Sequence, residues 1–146
     1  MKKLALVLII VLFSFSVVYG EGETRQRQSV EISMMENPSE ENYNGVWIPF
    51  LRYLRSFKDV VDVDEEYKDD YVLIYNKEVQ VQIFGKLYKD LPYKFDEGAV
   101  VSAIGLGKKN PVNLTMRLLD DNLMLYSIGW GGEAKVEFIC YQKGGL

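Results

Sequence analysis

Apolar and polar residues alternate along the C-terminal third of the chain in three consecutive segments. Val112–Leu118, Leu123–Ile128 and Ala134–Cys140 each place an apolar side chain at nearly every second position. This period is typical of a β-strand with one buried and one solvated face. Asp-Asp-Asn at 120–122 and Gly-Trp-Gly-Gly at 129–132 separate the segments, and both provide residues that tolerate a turn. The pattern predicts an antiparallel meander.

The same reasoning predicts five strands further upstream. Glu78–Phe84 alternates cleanly, Ala99–Ile104 consists of small and β-branched residues, and Tyr71–Tyr75 is apolar enough for burial on both faces. Val46–Ile48 and Leu87–Phe95 are shorter candidates. The proline within the second of these lacks a backbone N–H, which restricts that segment to a sheet edge or a loop.

Pro49–Val61 departs from the alternation. Its large apolar residues recur at helical spacing, and proline suits the first turn of a helix, so we expect one short amphipathic helix here. Together with eight candidate strands, this predicts a mainly β protein whose antiparallel up-and-down meander closes into a small eight-stranded barrel with one helix. The alternative is an α+β fold in which an open antiparallel sheet packs on that helix.

The predicted domain begins with an aromatic-x-Gly-x-Trp sequence formed by Tyr43, Gly45 and Trp47. This sequence resembles the first-strand signature of lipocalins and related calycin barrels. The resemblance implies an eight-stranded barrel in which Trp47 closes one end and a basic residue of the last strand covers it. Lys143 matches that basic residue, where lipocalins usually have arginine. The α+β alternative shares its element order with cystatin-like folds, whose inhibitory motif we do not find.

The N-terminal segment has the organisation of a secretory signal peptide. Lys2 and Lys3 precede the apolar run Leu4–Val18, which is shorter than the roughly 20 residues that span a bilayer. Cleavage after Gly20 gives a signal peptide of residues 1–20 and leaves 126 of the 146 residues. We therefore predict an exported, periplasmic or extracellular protein with no stable membrane span once the signal is removed.

The remaining chain divides into a leader and one domain. Residues 21–41 are polar and poor in large apolar side chains, which predicts a flexible leader. Val30, Ile32, Met34 and Met35 are exceptions that allow a short piece to lie on the domain. Residues 42–146 form the single predicted barrel-like domain.

Composition excludes several classes of function. The formal net charge of −4 becomes −6 without Lys2 and Lys3, and there is no basic stripe, so nucleic acid is not an expected partner. The chain has no histidine and one cysteine, which excludes histidine triads, histidine metal sites and an internal disulfide. Cys140 lies in phase with Val136 and Phe138, and we expect a buried thiol. We predict no enzymatic activity, no catalytic residue and no cofactor.

The segment Asp62–Asp70 carries six acidic residues, a density of oxygen ligands that calcium sites also show. The EF-hand pattern fails, because Tyr67 and Leu73 occupy the positions of the turn glycine and the closing glutamate. We interpret the segment as a solvated acidic loop and predict no metal site.

Two functions from different classes remain. The lipocalin resemblance implies a non-enzymatic carrier of a small apolar or amphipathic ligand, with the predicted helix near one mouth of the barrel. The expected interior lining is Val79, Val81, Ile83, Val136 and Phe138. The alternative is a protein-interaction or inhibitor module that acts through its loops.

Trp130 lies between glycines in a turn, where folding does not require a bulky apolar residue. It either contacts a ligand or partner at the barrel rim or folds back to close the barrel end, and the second interpretation is the one we favour. The predicted ligand-binding residues are Phe50, Tyr126, Trp130, Val136 and Phe138.

Overall fold

A computed structural model describes residues 15–20 and 23–144, with side chains from residue 29 onward. Most of the predicted signal peptide therefore lies outside the described residues. Its last six residues form strand β1, Phe15–Gly20, which pairs antiparallel with strand β2, Glu23–Gln28. This two-stranded hairpin forms a sheet separate from the main one.

Nine further strands form one antiparallel sheet. They are β3 Gly45–Leu54, β4 Asp59–Asp62, β5 Tyr71–Tyr75, β6 Glu78–Ile83, β7 Lys86–Asp96, β8 Ala99–Ile104, β9 Val112–Leu118, β10 Leu123–Trp130 and β11 Glu133–Gln142. Eight of them follow one another around a ring in up-and-down order, and β11 pairs with β3 to close it. The predicted eight-stranded up-and-down antiparallel barrel is confirmed. β4 is an additional strand that pairs with the C-terminal part of β3, Leu51–Leu54.

The predicted helix at Pro49–Val61 is wrong. β3 continues through Leu54, a 3-10 turn covers Arg55–Phe57, and β4 begins at Asp59. β3 pairs with β11 on one side and with β5 and β4 on the other, so barrel closure overrides the local helical spacing. Pro49 is tolerated because it lies where the β3–β11 register shifts, and a proline at such an irregularity removes no regular ladder bond.

Two other strand predictions need correction. The proline-containing segment is no edge, because β7 runs from Lys86 to Asp96 and pairs with β6 and β8. Pro92 pairs with Glu78, the first residue of β6, so the proline lies where that ladder ends. β5 is buried on one face only: Val72 and Ile74 point inward, whereas Tyr75 is exposed.

Two apolar clusters hold the barrel. The first fills the interior, and the second lies around Leu123, Leu125 and Ile139, which alternate with inward residues and so lie on the outer face. Trp47 is fully buried in the interior, and its Nε1–H donates to the Tyr43 carbonyl at 2.8 Å.

Part of the predicted leader lies along the barrel. We call residues 29–39 the strap. The Val30 N–H donates to the Lys58 carbonyl at 2.6 Å, and the Met35 N–H donates to the Leu118 carbonyl at 2.9 Å. Val30 is buried, and Ile32 packs against the outer cluster. The strap therefore covers apolar surface that would otherwise face water, which stabilises its ordered position.

Candidate functional site

The barrel interior is filled by side chains. A side chain with no exposed surface borders no space that admits a water molecule. This is the situation of Trp47, Val72, Ile74, Val79, Val81, Leu114, Met116, Met124 and Cys140. Aromatic rings fill the space between them: the Phe138 ring centroid lies 4.8 Å from that of Tyr67 and 6.2 Å from that of Tyr126. The interior at these positions is a packed core. A small barrel either is filled by side chains in this way or holds a small ligand.

Tyr126 introduces a polar atom into this core. Its hydroxyl is fully enclosed and has no hydrogen-bond partner in the part of the chain that the structure describes. Burial raises the pKa of Tyr126 well above its usual value, so the phenol is neutral. Cys140 is buried nearby, as predicted, and burial likewise raises the pKa of its thiol. A buried thiol of raised pKa is protonated and inert.

The structure brings together only three of the five predicted ligand-binding residues. Tyr126 and Phe138 belong to the interior cluster, and Val136 packs against it. Phe50 lies in β3 and packs edge-on against Tyr141, with 5.7 Å between ring centroids, as part of the outer cluster. Trp130 is 47% exposed. The favoured interpretation, that it folds back to close the barrel, does not match this position.

The strand order sorts the connections between the two ends of the barrel. Because each strand runs antiparallel to its neighbours, successive connections alternate from one end to the other. One end, the loop end, carries residues 55–70, 84–85, 105–111 and 131–132. The other, the closed end, carries residues 76–77, 97–98 and 119–122, together with Tyr43. The Tyr43 hydroxyl donates to the Gly98 carbonyl at 2.5 Å and accepts from the Leu118 N–H at 3.0 Å.

Large apolar side chains are exposed around the loop end. Phe57 is 70% exposed, Phe84 57%, Leu106 80% and Trp130 47%. Phe57, Phe84 and Leu106 each lie in a different connection at this end, and Trp130 is the last residue of β10. We call these four residues the apolar rim. Exposed apolar residues are unremarkable singly, but their concentration at one end indicates an interaction surface.

Packing and hydrogen bonds hold the Phe84 turn of the rim. The Asp70 carboxylate accepts from the Phe84 N–H at 3.0 Å and from the Gly85 N–H at 3.3 Å. The Tyr67 ring lies 4.5 Å from that of Phe84 and itself belongs to the interior cluster. Burial raises the pKa of Asp70, with the two backbone bonds opposing that shift. The Asp70 carboxylate therefore holds the 84–85 turn in place.

Sequence reasoning found Trp130 and missed the other three rim residues. A signal was present: Leu106 lies between two glycines, as Trp130 does between Gly129 and Gly131, and Phe84 precedes a glycine. A large apolar residue beside glycine in a turn has little role in folding. Phe57 carried no such signal, because it was assigned to the predicted helix.

The acidic loop does not gather its carboxylates. Asp64 pairs with Arg52 at 3.6 Å, Glu65 with Lys68 at 3.7 Å, and the Asp70 carboxylate binds backbone N–H groups. Within the described ranges, no three cysteine or acidic side chains come close enough to hold a metal ion.

No protein-family model, curated protein or solved structure matches the chain. The lipocalin resemblance of Tyr43, Gly45 and Trp47 therefore stays a prediction. Lys143 does lie beside the Trp47 strand, since its N–H donates to the Val46 carbonyl at 2.8 Å. In the described part of the chain, no helix has both the length and the apolar character needed to cross a membrane.

Proposed function

We propose that this chain is an exported, non-enzymatic interaction module that binds a partner protein through its apolar rim. The observation that carries the proposal is the exposure of four large apolar side chains at the loop end, three from its connections and one from the end of β10, next to a filled interior. Exposed aromatic anchors of this kind supply much of the binding energy at protein interfaces.

The surroundings of the rim support a protein partner. A groove of about 230 Å³ is lined by Arg52, Arg55, Phe57, Lys135 and Glu137. Aromatic and arginine side chains are enriched at protein interfaces. We expect the partner to offer an apolar pocket that receives the rim side chains.

Site-specific photo-crosslinking in the producing cells tests this proposal. A photoreactive phenylalanine analogue at position 130 should yield a defined adduct, whereas the same analogue at position 75 should not. Tyr75 is the matched control, because it is 62% exposed and lies next to the turn at the closed end. The adduct should be competed away by excess unmodified protein and not by the double variant Trp130→Ala, Leu106→Ala.

Equal labelling from positions 75 and 130, or equal competition by the double variant, would contradict the proposal. An adduct between two copies of the chain would identify the partner as a second molecule of this protein.

The carrier of a small apolar ligand, with a lipocalin-like interior, is a second candidate because of Tyr126. Its enclosed, unpartnered hydroxyl is the kind of atom that a bound polar group would satisfy. Native mass spectrometry of protein purified gently from its producing cells should then detect a retained small molecule. If the observed mass is that of the protein alone, and position 130 forms an adduct, the interaction module is favoured.

Export is tested separately by sequencing the N terminus of the protein recovered outside the cytoplasm. The signal-peptide prediction expects the recovered chain to begin at Glu21. In that case β2 has lost its partner β1, and Glu23–Gln28 should exchange its amide hydrogens rapidly. An intact N terminus would contradict cleavage.

A further inference from the structure

A second surface of distinct chemistry lies at the closed end of the barrel. The strap and the β7–β8 turn enclose a groove of about 540 Å³. Its lining includes Met34, Pro38, Phe95, Glu97, Arg117 and Leu118. This volume falls within the range of small-molecule sites, about 300–1,000 Å³. The groove lies at the barrel end opposite the apolar rim. A function of this groove is therefore independent of the proposed partner site.

The apolar part of the groove lining is held in place by packing and hydrogen bonds. Phe95 packs edge-on against the buried ring of Tyr43, with 6.1 Å between centroids, yet 38% of it is exposed. Pro38 lies against Gly98, where an added Cβ would come within 3.3 Å of the proline ring. The Met35 N–H bond to the Leu118 carbonyl fixes the strap. Anchored walls lose little conformational entropy when a ligand binds.

Two charged residues, Arg117 and Glu97, belong to the lining of this groove. Arg117 in β9 alternates with the inward residues Met116 and Leu118, so it lies on the outer face, and its strand partner is Ala99. Glu97 precedes that alanine by two positions, in the β7–β8 turn. Neither side chain takes part in any of the ion pairs found in the described part of the chain. The Arg117 guanidinium is therefore available to a ligand.

We propose that this groove binds a small amphipathic monocarboxylate. Arg117 receives the carboxylate, because a guanidinium offers paired N–H donors in the geometry that a carboxylate accepts. Met34, Pro38 and Phe95 cover the apolar body, removing it from water. The lining offers one cation and one anion, so a ligand with a single carboxylate suits it better than one with two.

Calorimetric titration of the protein purified from its producing cells with decanoate tests this inference. Decanoate should bind, and Arg117→Met should weaken its affinity at least tenfold, since a charge-assisted hydrogen bond is lost. Decan-1-ol, which has the same apolar body without the charge, should bind equally to both proteins. Lys94→Met removes one exposed cation of β7 outside the groove lining and should leave decanoate affinity within about twofold.

A second variant separates the groove from the barrel interior. Phe95→Ala should weaken decanoate and decan-1-ol alike, whereas Val136→Trp, which alters a side chain packed on the interior core, should change neither. The melting temperature of each variant confirms that it is folded. No decanoate binding at millimolar concentration, unchanged binding in Arg117→Met, or binding lost only in Val136→Trp would overturn the inference.

Discussion

Arg55 and Glu137 form a bidentate ion pair that joins the turn after β3 to β11. The Nε and Nη2 groups of Arg55 donate to the two carboxylate oxygens of Glu137, each at 2.9 Å. The Glu137 side chain is 5% exposed and that of Arg55 64%. The hydrogen bond to Glu137 is the main reason why the pKa of Arg55 is raised. This pair lies beside the strand pairing that closes the barrel.

Removing Arg55 should therefore destabilise the protein. In Arg55→Ala the buried carboxylate of Glu137 has no partner, and we expect a loss of about 1–3 kcal/mol in the free energy of unfolding. Arg52→Ala is the control, because its partner Asp64, at 3.6 Å, is 59% exposed and this pair should contribute about 0–1 kcal/mol. Urea denaturation of both variants measures the difference. Equal losses would show that the pair has no special role.

The Tyr43 hydroxyl ties two connections of the closed end together. Tyr43→Phe keeps the ring but leaves the Leu118 N–H and the Gly98 carbonyl without this partner. We expect a loss of about 1–3 kcal/mol in unfolding free energy. The same change at the exposed Tyr75 should have an effect within about 0.5 kcal/mol. A Tyr43→Phe variant as stable as the parent would contradict the assigned role.

Asp70 makes stability depend on pH in a defined direction. Burial raises its folded-state pKa above the ordinary value of 3.8, so the folded protein holds this proton more tightly than the unfolded chain. Its contribution to stability is therefore fully present below that ordinary value and is lost as pH rises through the folded pKa.

Asp70→Asn isolates this contribution, since asparagine does not titrate. The unfolding free energy of the parent minus that of the variant should fall as pH rises from about 3 to about 7. The exposed neighbour in Asp69→Asn controls for the general loss of one negative charge. A difference that grows with pH would show that the backbone hydrogen bonds outweigh burial.

The two tryptophans should respond oppositely to truncation. Trp47 is fully buried, and Trp47→Ala should cost about 3–5 kcal/mol of stability. Trp130 is half exposed, and Trp130→Ala should change stability by less than about 1 kcal/mol while competing less well than the parent protein in the crosslinking experiment. Thermal unfolding measures the stability change in each of the two variants. A large loss for Trp130→Ala would show that it acts as a core residue.

Val136→Trp tests the interior carrier hypothesis. Val136 packs against a filled core, so a larger side chain should strain it by about 1–3 kcal/mol. If a ligand occupies the interior, this variant should also lose the molecule retained in native mass spectrometry. Full retention by the folded variant would exclude the interior as the site.

The barrel could be predicted from the sequence because alternation is a local property. In β9, β10 and β11 every second residue is apolar, and turn-forming residues separate the strands, so the strand count and antiparallel order follow from short stretches. The burial of Cys140 followed from its phase with Phe138. The sequence also shows that histidine is absent, which restricts the possible chemistry.

Other features follow only from the tertiary structure, because they depend on pairing between strands that are distant in sequence. Pro49–Val61 satisfies a helical pattern locally, yet β11, about 90 residues later, makes its first half a barrel strand. Phe84, Leu106 and Trp130 are far apart in sequence, and they share one end only because antiparallel strands return every second connection to that end. Arg117 of β9 and Met34 of the strap likewise line one groove although they are distant in sequence. A sequence records local periodicity, whereas a site depends on which ends of which strands the closed sheet brings together.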